Sequence, residues 1–352
     1  MQTSLFSYNL PRELIAQTPK NHRDQARLFV YNKKNKTVKH DIFCHLKNYL
    51  QPGDVLVFNN TKVLPARLIM YKPTGGKVEI FLLKDLGGGK WECLLKNTGK
   101  NFKFLILNFK TILNFKCQIL KRLKNGNFII KFNYIGKKFL NFLEKYGVTP
   151  LPPYIKTGDS KKIRTAYQTV YAKDWGSVAA PTAGLHFTKK LIRQLKNYGV
   201  QTEFVTLHVG QGTFQPVKTK KIIDHKMHPE WISVDKNTAQ KLNLAKKNKQ
   251  KILAVGTTVV RTLEAATNNR GHLRAINKPI NIFIYPSYKF KFVDALITNF
   301  HLPQSTLIML VAAFLSQGKN KTYGIKKIKE LYNLAIKKKY RFYSFGDAML
   351  IQ

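Results

Sequence analysis

Residues 252–266 read Ile-Leu-Ala-Val-Gly-Thr-Thr-Val-Val-Arg-Thr-Leu-Glu-Ala-Ala, a short apolar run that breaks at Gly256-Thr257-Thr258 and resumes with helical spacing. An apolar run of this length, closed by glycine, reads as a buried strand, and the residues after the glycine read as a helix through Ala266. A strand that feeds a helix through a small-residue turn is the unit of an α/β sheet, and such sheets take ligands at that junction. The same grammar recurs. Val178–Ala180 reads as a strand before a helix that Thr188 caps and Gly199 ends, followed by a strand at Val200–Val209. Asn281–Tyr285 and Ala295–Thr298 read as strands, Ser305 caps a helix ending near Gln317-Gly318, and Tyr340–Phe345 reads as a late strand.

The opening third is strand-rich, with Arg27–Tyr31, Asp54–Phe58 and Lys77–Leu83 punctuated by turn residues. From Arg67 to Tyr154 the pattern changes to short β runs: Trp91–Leu95, Phe104–Leu107, Phe115–Leu120 and Phe128–Phe132. The last two are joined through Asn125-Gly126, a hairpin signal. One amphipathic helix, Lys137–Tyr146, closes the stretch before the stiff Pro150-Leu151-Pro152-Pro153. The expected architecture is a multidomain α+β or α/β protein, with a mixed α/β core from residues 1–66 and 155–352. A β-rich, barrel-like domain is inserted at 67–154.

The 352 residues carry 61 Lys and Arg against 18 Asp and Glu, a net charge of +43, which points to a polyanionic partner. Lysine is nevertheless spread over every face, in tracts of Lys, Asn, Ile and Phe that AT-rich codons favour, so part of the excess reads as compositional drift. The longest apolar run, Leu307–Leu315, falls short of the ~20 residues a spanning helix needs, and the N-terminus lacks the pattern of a signal peptide. A cytoplasmic protein with no membrane partner is expected. Cys44, Cys93 and Cys117 show no C-x-x-C spacing and read as reduced thiols, not as a disulfide or zinc framework.

Several polar clusters fall at predicted strand ends. Ala180–Phe187 packs small residues, a proline and His186 between a strand and a helix, and taken alone reads first as a tight structural turn. His208 ends a strand ahead of Gly210 and Gly212, a glycine pair without the helix and third glycine of a dinucleotide fingerprint. Asp224-His225, with His228 beyond, suits proton transfer better than metal binding, because Pro229 discourages the helix that would align the two histidines. Arg261 and Glu264 have ordinary salt-bridge spacing. Each cluster has a bland reading, yet their recurrence in one chain points to a single pocket.

The ordered strings PGDVLVFNNTKVLPARL (52–68), PLPPYI (150–155), YQTVYAKDWGSVAAPTAGLHFT (167–188), FVTLHVGQGTFQPV (204–217), DHKMH (224–228), AVGTTVVRTLE (254–264), VDALITNFHLPQSTLIMLV (293–311) and YRFYSFGDAM (340–349) span nearly the whole chain. In them the sequence resembles the S-adenosylmethionine:tRNA ribosyltransferase-isomerase family of queuosine biosynthesis. It departs from that pattern at Ala166, Gln211, Pro229, Val259 and Ser287, the last standing where glycine is expected.

The resemblance implies transfer of the ribosyl part of S-adenosylmethionine to 7-aminomethyl-7-deazaguanine at the tRNA wobble position, with rearrangement to epoxyqueuosine and loss of adenine and methionine. It implies S-adenosylmethionine as cosubstrate, no prosthetic group or metal, and the anticodon arm of tRNA as partner, with a monomer as the working expectation. The reaction needs a general base and an acid. Residue chemistry nominates His186, His208, Asp224 and His225 for proton transfer. Gly210, Gly212, Gly256, Thr257, Thr258 and Arg261 are expected at the cosubstrate, and Asn59, Asn60, Thr61, Arg67, Asn299 and His301 at the nucleobase or tRNA. The rivals are a non-catalytic RNA-binding protein, which the charge alone would serve, and a methyltransferase, whose glycine-rich loop after an early strand is missing.

Overall fold

The structure is a computed structural model that describes residues 1–98, 106–109, 112–158, 160–210, 212 and 216–352. The chain opens with β1 (Arg27–Asn32), β2 (Thr37–Ile42), β3 (Val55–Asn59) and β4 (Thr61–Val63). The next six strands are β5 (Arg67–Tyr71), β6 (Lys77–Asp85), β7 (Lys90–Lys96), β8 (Ile106–Phe109), β9 (Ile112–Arg122) and β10 (Phe128–Phe132). After α1 (Gly136–Tyr146) and α2 (Lys161–Ala166) come β11 (Asp174–Ser177), α3 (Lys189–Asn197), β12 (Gln201–Leu207), β13 (Glu230–Val234) and α4 (Lys236–Lys247). The remainder is β14 (Ile252–Val255), α5 (Thr257–Ala266), β15 (Ile276–Ile280), β16 (Ala295–Asn299), α6 (Thr306–Leu315), α7 (Lys321–Lys337) and β17 (Ala348–Ile351).

Nine strands form one mixed sheet in the order β15-β13-β12-β3-β14-β16-β17-β1-β2, and its centre, β12-β3-β14-β16, is parallel. Alternate residues of the central strands supply two separate cores. Val55, Val57, Ile252, Ala254 and Leu296 pack toward α4 to α7, whereas Leu56, Phe58, Leu253, Val255 and Ile297 pack toward α3 and the 3-10 turn Phe43–Tyr49. Burial on both faces explains why these strands are continuous apolar runs instead of alternating ones. Thr188 and Ser305 do cap α3 and α6, accepting from the N–H of Leu191 and Ile308.

The strands β10-β7-β6-β5-β8-β9 close into a barrel with its own core, into which α1 inserts Phe139, Phe142 and Leu143. Asn125-Gly126 makes the β9–β10 turn, with Gly126 at φ 88°. A mixed α/β core beside a closed β-barrel is the architecture the sequence pattern predicts. Of the expected Phe104–Leu107 strand, residues 104 and 105 lie outside the described residues.

Three strand assignments need correction. Asn281–Tyr285 is irregular, and the strand is Ile276–Ile280 instead; Pro279, which reads as a breaker, is tolerated because β15 lies at the sheet edge. Val178–Ala180 continues from β11 as an irregular segment. Tyr340–Phe345 is a loop whose buried Tyr340 and Phe342 serve the core, with only a single bridge from Phe342 to Ile15, and the strand starts at Ala348.

Ser287 sits exposed in a turn at φ 108°, a left-handed conformation that L side chains adopt only under strain. Ser287→Gly is therefore expected to stabilise the protein by about 1 kcal/mol, relief of strain outweighing the greater freedom of glycine in the unfolded chain. A denaturant midpoint that fails to rise at unchanged slope would contradict this.

Candidate active site

Carboxyl ends of parallel strands gather unpaired polar backbone, and ligands of open α/β sheets bind there. Four such ends lie side by side here. Asn59 ends β3, Leu207 ends β12 ahead of His208, Val255 ends β14 ahead of Gly256, and Asn299 ends β16 ahead of His301.

A small cleft is lined by Gly256, Thr257, Thr258, Asn299 and His301, together with Tyr154 and Tyr343. Gly256 takes φ 98°, which turns the chain from β14 into α5, and no side chain caps that helix end. Its first N–H groups are therefore available to a polar or anionic group. His301 is buried, its Nε2 2.8 Å from the Thr298 hydroxyl, and burial holds its imidazole down to about 3. His186 lies behind the cleft wall, its Nε2 accepting from Asn299 Nδ2 at 3.2 Å. Burial, assisted by Arg341 and Arg23, also pushes it down to about 3.

Next to the cleft, and sharing Val209 with it, a groove of about 1140 Å³ runs between the barrel and the sheet edge. His208, Gly210, Gly212 and His225 line it. His208 Nδ1 is 2.8 Å from the Thr61 hydroxyl, while Gly176 lies against the ring: a Cβ there would meet Nε2 at 2.7 Å. The imidazole is thus gripped through Nδ1 by β4 and given room by glycine on β11. Burial lowers its pKa against the opposing pull of Asp174, so it is neutral at neutral pH. His225 is likewise lowered, by burial and then by His228, and its ring meets Phe283 edge-on at 5.5 Å.

Other nominated residues have different surroundings. Asn59 donates to the Leu207 carbonyl at 3.0 Å and accepts from the N–H of Thr61 and Leu207, a clamp that joins the ends of β3 and β12. Asn60 Oδ1 accepts from Thr206 at 2.7 Å. Arg67 pairs with Glu79 on the barrel and lines neither space. Asp224 is exposed, and among the described residues no hydrogen bond joins it to His225. Arg261 is buried in an ion pair with Glu230, whose other oxygen accepts the Gly210 N–H at 2.9 Å, so that this guanidinium braces the groove loop.

The sequence reading missed the tryptophans. All three in the chain, Trp91, Trp175 and Trp231, line the groove, from β7, β11 and β13. The Lys62 ammonium lies 3.7 Å from the Trp175 ring centre. Their scarcity in a chain rich in Lys, Asn, Ile and Phe is the one signal that would have drawn attention to them. Among the described residues no group of three or more His, Cys, Asp or Glu is arranged to hold a metal, and no helix is long and apolar enough to cross a membrane.

Residues 3–351 match the family described as queuosine biosynthesis protein. The S-adenosylmethionine:tRNA ribosyltransferase-isomerase of Thermoanaerobacter sp. (strain X514) is 48% identical over the full length of both chains, and that of Clostridium kluyveri 47%. The crystal structure of the S-adenosylmethionine tRNA ribosyltransferase from Thermotoga maritima matches with a TM-score of 0.55 and 37% identity, covering 99% of this chain and 100% of that one. With such agreement from end to end, the chain belongs to the queuosine biosynthesis family of S-adenosylmethionine:tRNA ribosyltransferase-isomerases, a family of transferases.

Proposed function

We propose that the protein transfers and isomerises the ribosyl moiety of S-adenosylmethionine onto 7-aminomethyl-7-deazaguanine at the wobble position of tRNA. The products are epoxyqueuosine-tRNA, adenine and methionine. It acts in the cytoplasm as a monomer on the anticodon arm, without a prosthetic group. The observation that carries this reading beyond family membership is the pair of adjoining spaces that meet at Val209. The smaller cleft is lined by two tyrosines and polar strand ends, a setting for a flat nucleobase, and the groove, about 1140 Å³, is far roomier and takes a longer chain. Exposed or half-buried Trp231 and Trp175 offer faces on which unpaired bases stack, and the high positive charge favours the phosphate chain.

The chemistry starts with loss of a proton from the carbon bonded to the sulfonium, whose charge makes that proton acidic. A neutral imidazole on the groove, one residue before the Val209 that both spaces share, is suited to accept it, which favours His208 over the buried His186 and His301. Purified protein given S-adenosylmethionine and tRNA carrying the aminomethyl-deazaguanine base is expected to release adenine and methionine in equal amounts. S-adenosylhomocysteine would instead mark a methyltransferase, and binding without any product an RNA-binding protein.

A further inference from the structure

We propose that Asn299 selects the purine of the cosubstrate, its Oδ1 accepting a hydrogen bond from the 6-amino group of an adenine seated in the cleft. This rests on the proposed ribosyl transfer and names the part of the cosubstrate that the cleft takes.

Asn299 is 2% exposed and lines the cleft. Its Nδ2 donates to the Tyr343 carbonyl at 3.1 Å and to His186 Nε2 at 3.2 Å. A carbonyl can only accept, so the amide nitrogen must face Tyr343, which fixes the orientation of the whole group. Oδ1 is then left buried, with no donor among the described residues. A buried acceptor without a donor is costly, and a ligand that brings an N–H to it removes the cost.

Tyr343 supports the arrangement at some expense to itself. It holds φ 70°, which a bulky side chain resists, and so keeps its carbonyl on Asn299. Its ring lies 4.7 Å from that of Tyr154, and both rings line the cleft, giving an aromatic side to a flat heterocycle. The end of α5 lines the same cleft, with Thr258 Oγ1 buried and also without a partner among the described residues. A ligand with an amine on a flat ring and a polar or anionic group beyond it satisfies both, and S-adenosylmethionine carries the two in one molecule. The deazaguanine base, attached to RNA, fits the larger groove.

Three nucleosides that differ at the purine 6-edge test this: adenosine (6-amino), purine riboside (6-hydrogen) and inosine (6-oxo, with N1–H), titrated by calorimetry into the parent protein and the Asn299→Ala variant. The parent should bind adenosine about 5- to 100-fold more tightly than purine riboside, the loss expected for one buried hydrogen bond. Inosine should bind more weakly than adenosine, because its oxygen replaces the amino group that donates to Oδ1. In Asn299→Ala, or Asn299→Ser if the alanine variant does not fold, the difference between adenosine and purine riboside should fall to within about threefold. A role confined to holding Tyr343 would weaken all three nucleosides together and preserve their ratios. Equal binding in the parent, no adenosine binding, or a ratio that survives the substitution overturns the proposal. These titrations are independent of turnover, so adenosine selectivity without adenine release would refute the proposed reaction and leave the Asn299 assignment standing.

Discussion

Glu230→Ala is expected to destabilise the protein by about 3–5 kcal/mol, because it removes one partner of a buried ion pair and leaves the other charged. Both side chains are only 4% exposed. Arg261 Nη1 donates to Glu230, whereas its Nε and Nη2 have no acceptor among the described residues, so the guanidinium has little to fall back on. The Gly210 N–H loses its acceptor as well. At ~2–4 °C per kcal/mol for domains of 150–250 residues, the melting temperature should drop by roughly 6–20 °C. Glu230→Gln, which keeps an acceptor for Gly210 but not the charge, should fall between. The double replacement Glu230→Leu with Arg261→Met should recover much of the loss, since apolar residues of similar volume can substitute for a buried pair. A Glu230→Ala variant melting within about 3 °C of the parent would show that water reaches Arg261.

That Glu230 is silent in the sequence while Arg261 is not reflects how the two are presented. Arg261 sits in a strand-turn-helix segment that announces itself, with Glu264 at ordinary salt-bridge spacing. In the structure Glu264 accepts from the N–H groups of Lys291, Phe292 and Val293, and the arginine's partner lies 31 residues back, on β13. Local signals are reliable where local physics decides: Thr188 and Ser305 cap helices, and Asn125-Gly126 turns a hairpin. They fail where tertiary context decides. Pro279 is acceptable in a strand only because β15 is an edge, and the polar strand ends gather only because β12, β3, β14 and β16 run parallel. Adjacency along the chain misleads at Asp224-His225, and distance along it hides the three tryptophans, which come from three separate strands. Asn299, which its amide chemistry groups with Asn59–Thr61, instead lines the cleft with Thr257 and Thr258.

His208→Ala is expected to lower the rate of the chemical step by ~10²–10⁴ while leaving tRNA affinity nearly intact, the signature of a lost proton acceptor. The role depends on which ring nitrogen is free. The Thr61 hydroxyl lies 3.5 Å from the Asp174 carbonyl and 2.8 Å from His208 Nδ1. If Thr61 donates to the carbonyl, its oxygen accepts from Nδ1–H, and Nε2 keeps its lone pair beside Gly176. Thr61→Val should then cost less than His208→Ala, because it releases the tautomer without removing the base. Burial lowers the His208 pKa in the free protein. A base must be neutral to act, so kcat/KM should be full above the ordinary histidine range and decline as pH falls through the lowered value; this acid limb should vanish in His208→Ala. Gly176→Ala, which presses a methyl group onto the ring, should reduce turnover in the same direction. Folded His208→Ala protein that turns over at the parent rate, or one that keeps the acid limb, would move the general base to another group, and His225, the other histidine of lowered pKa lining the groove, would be the next to test.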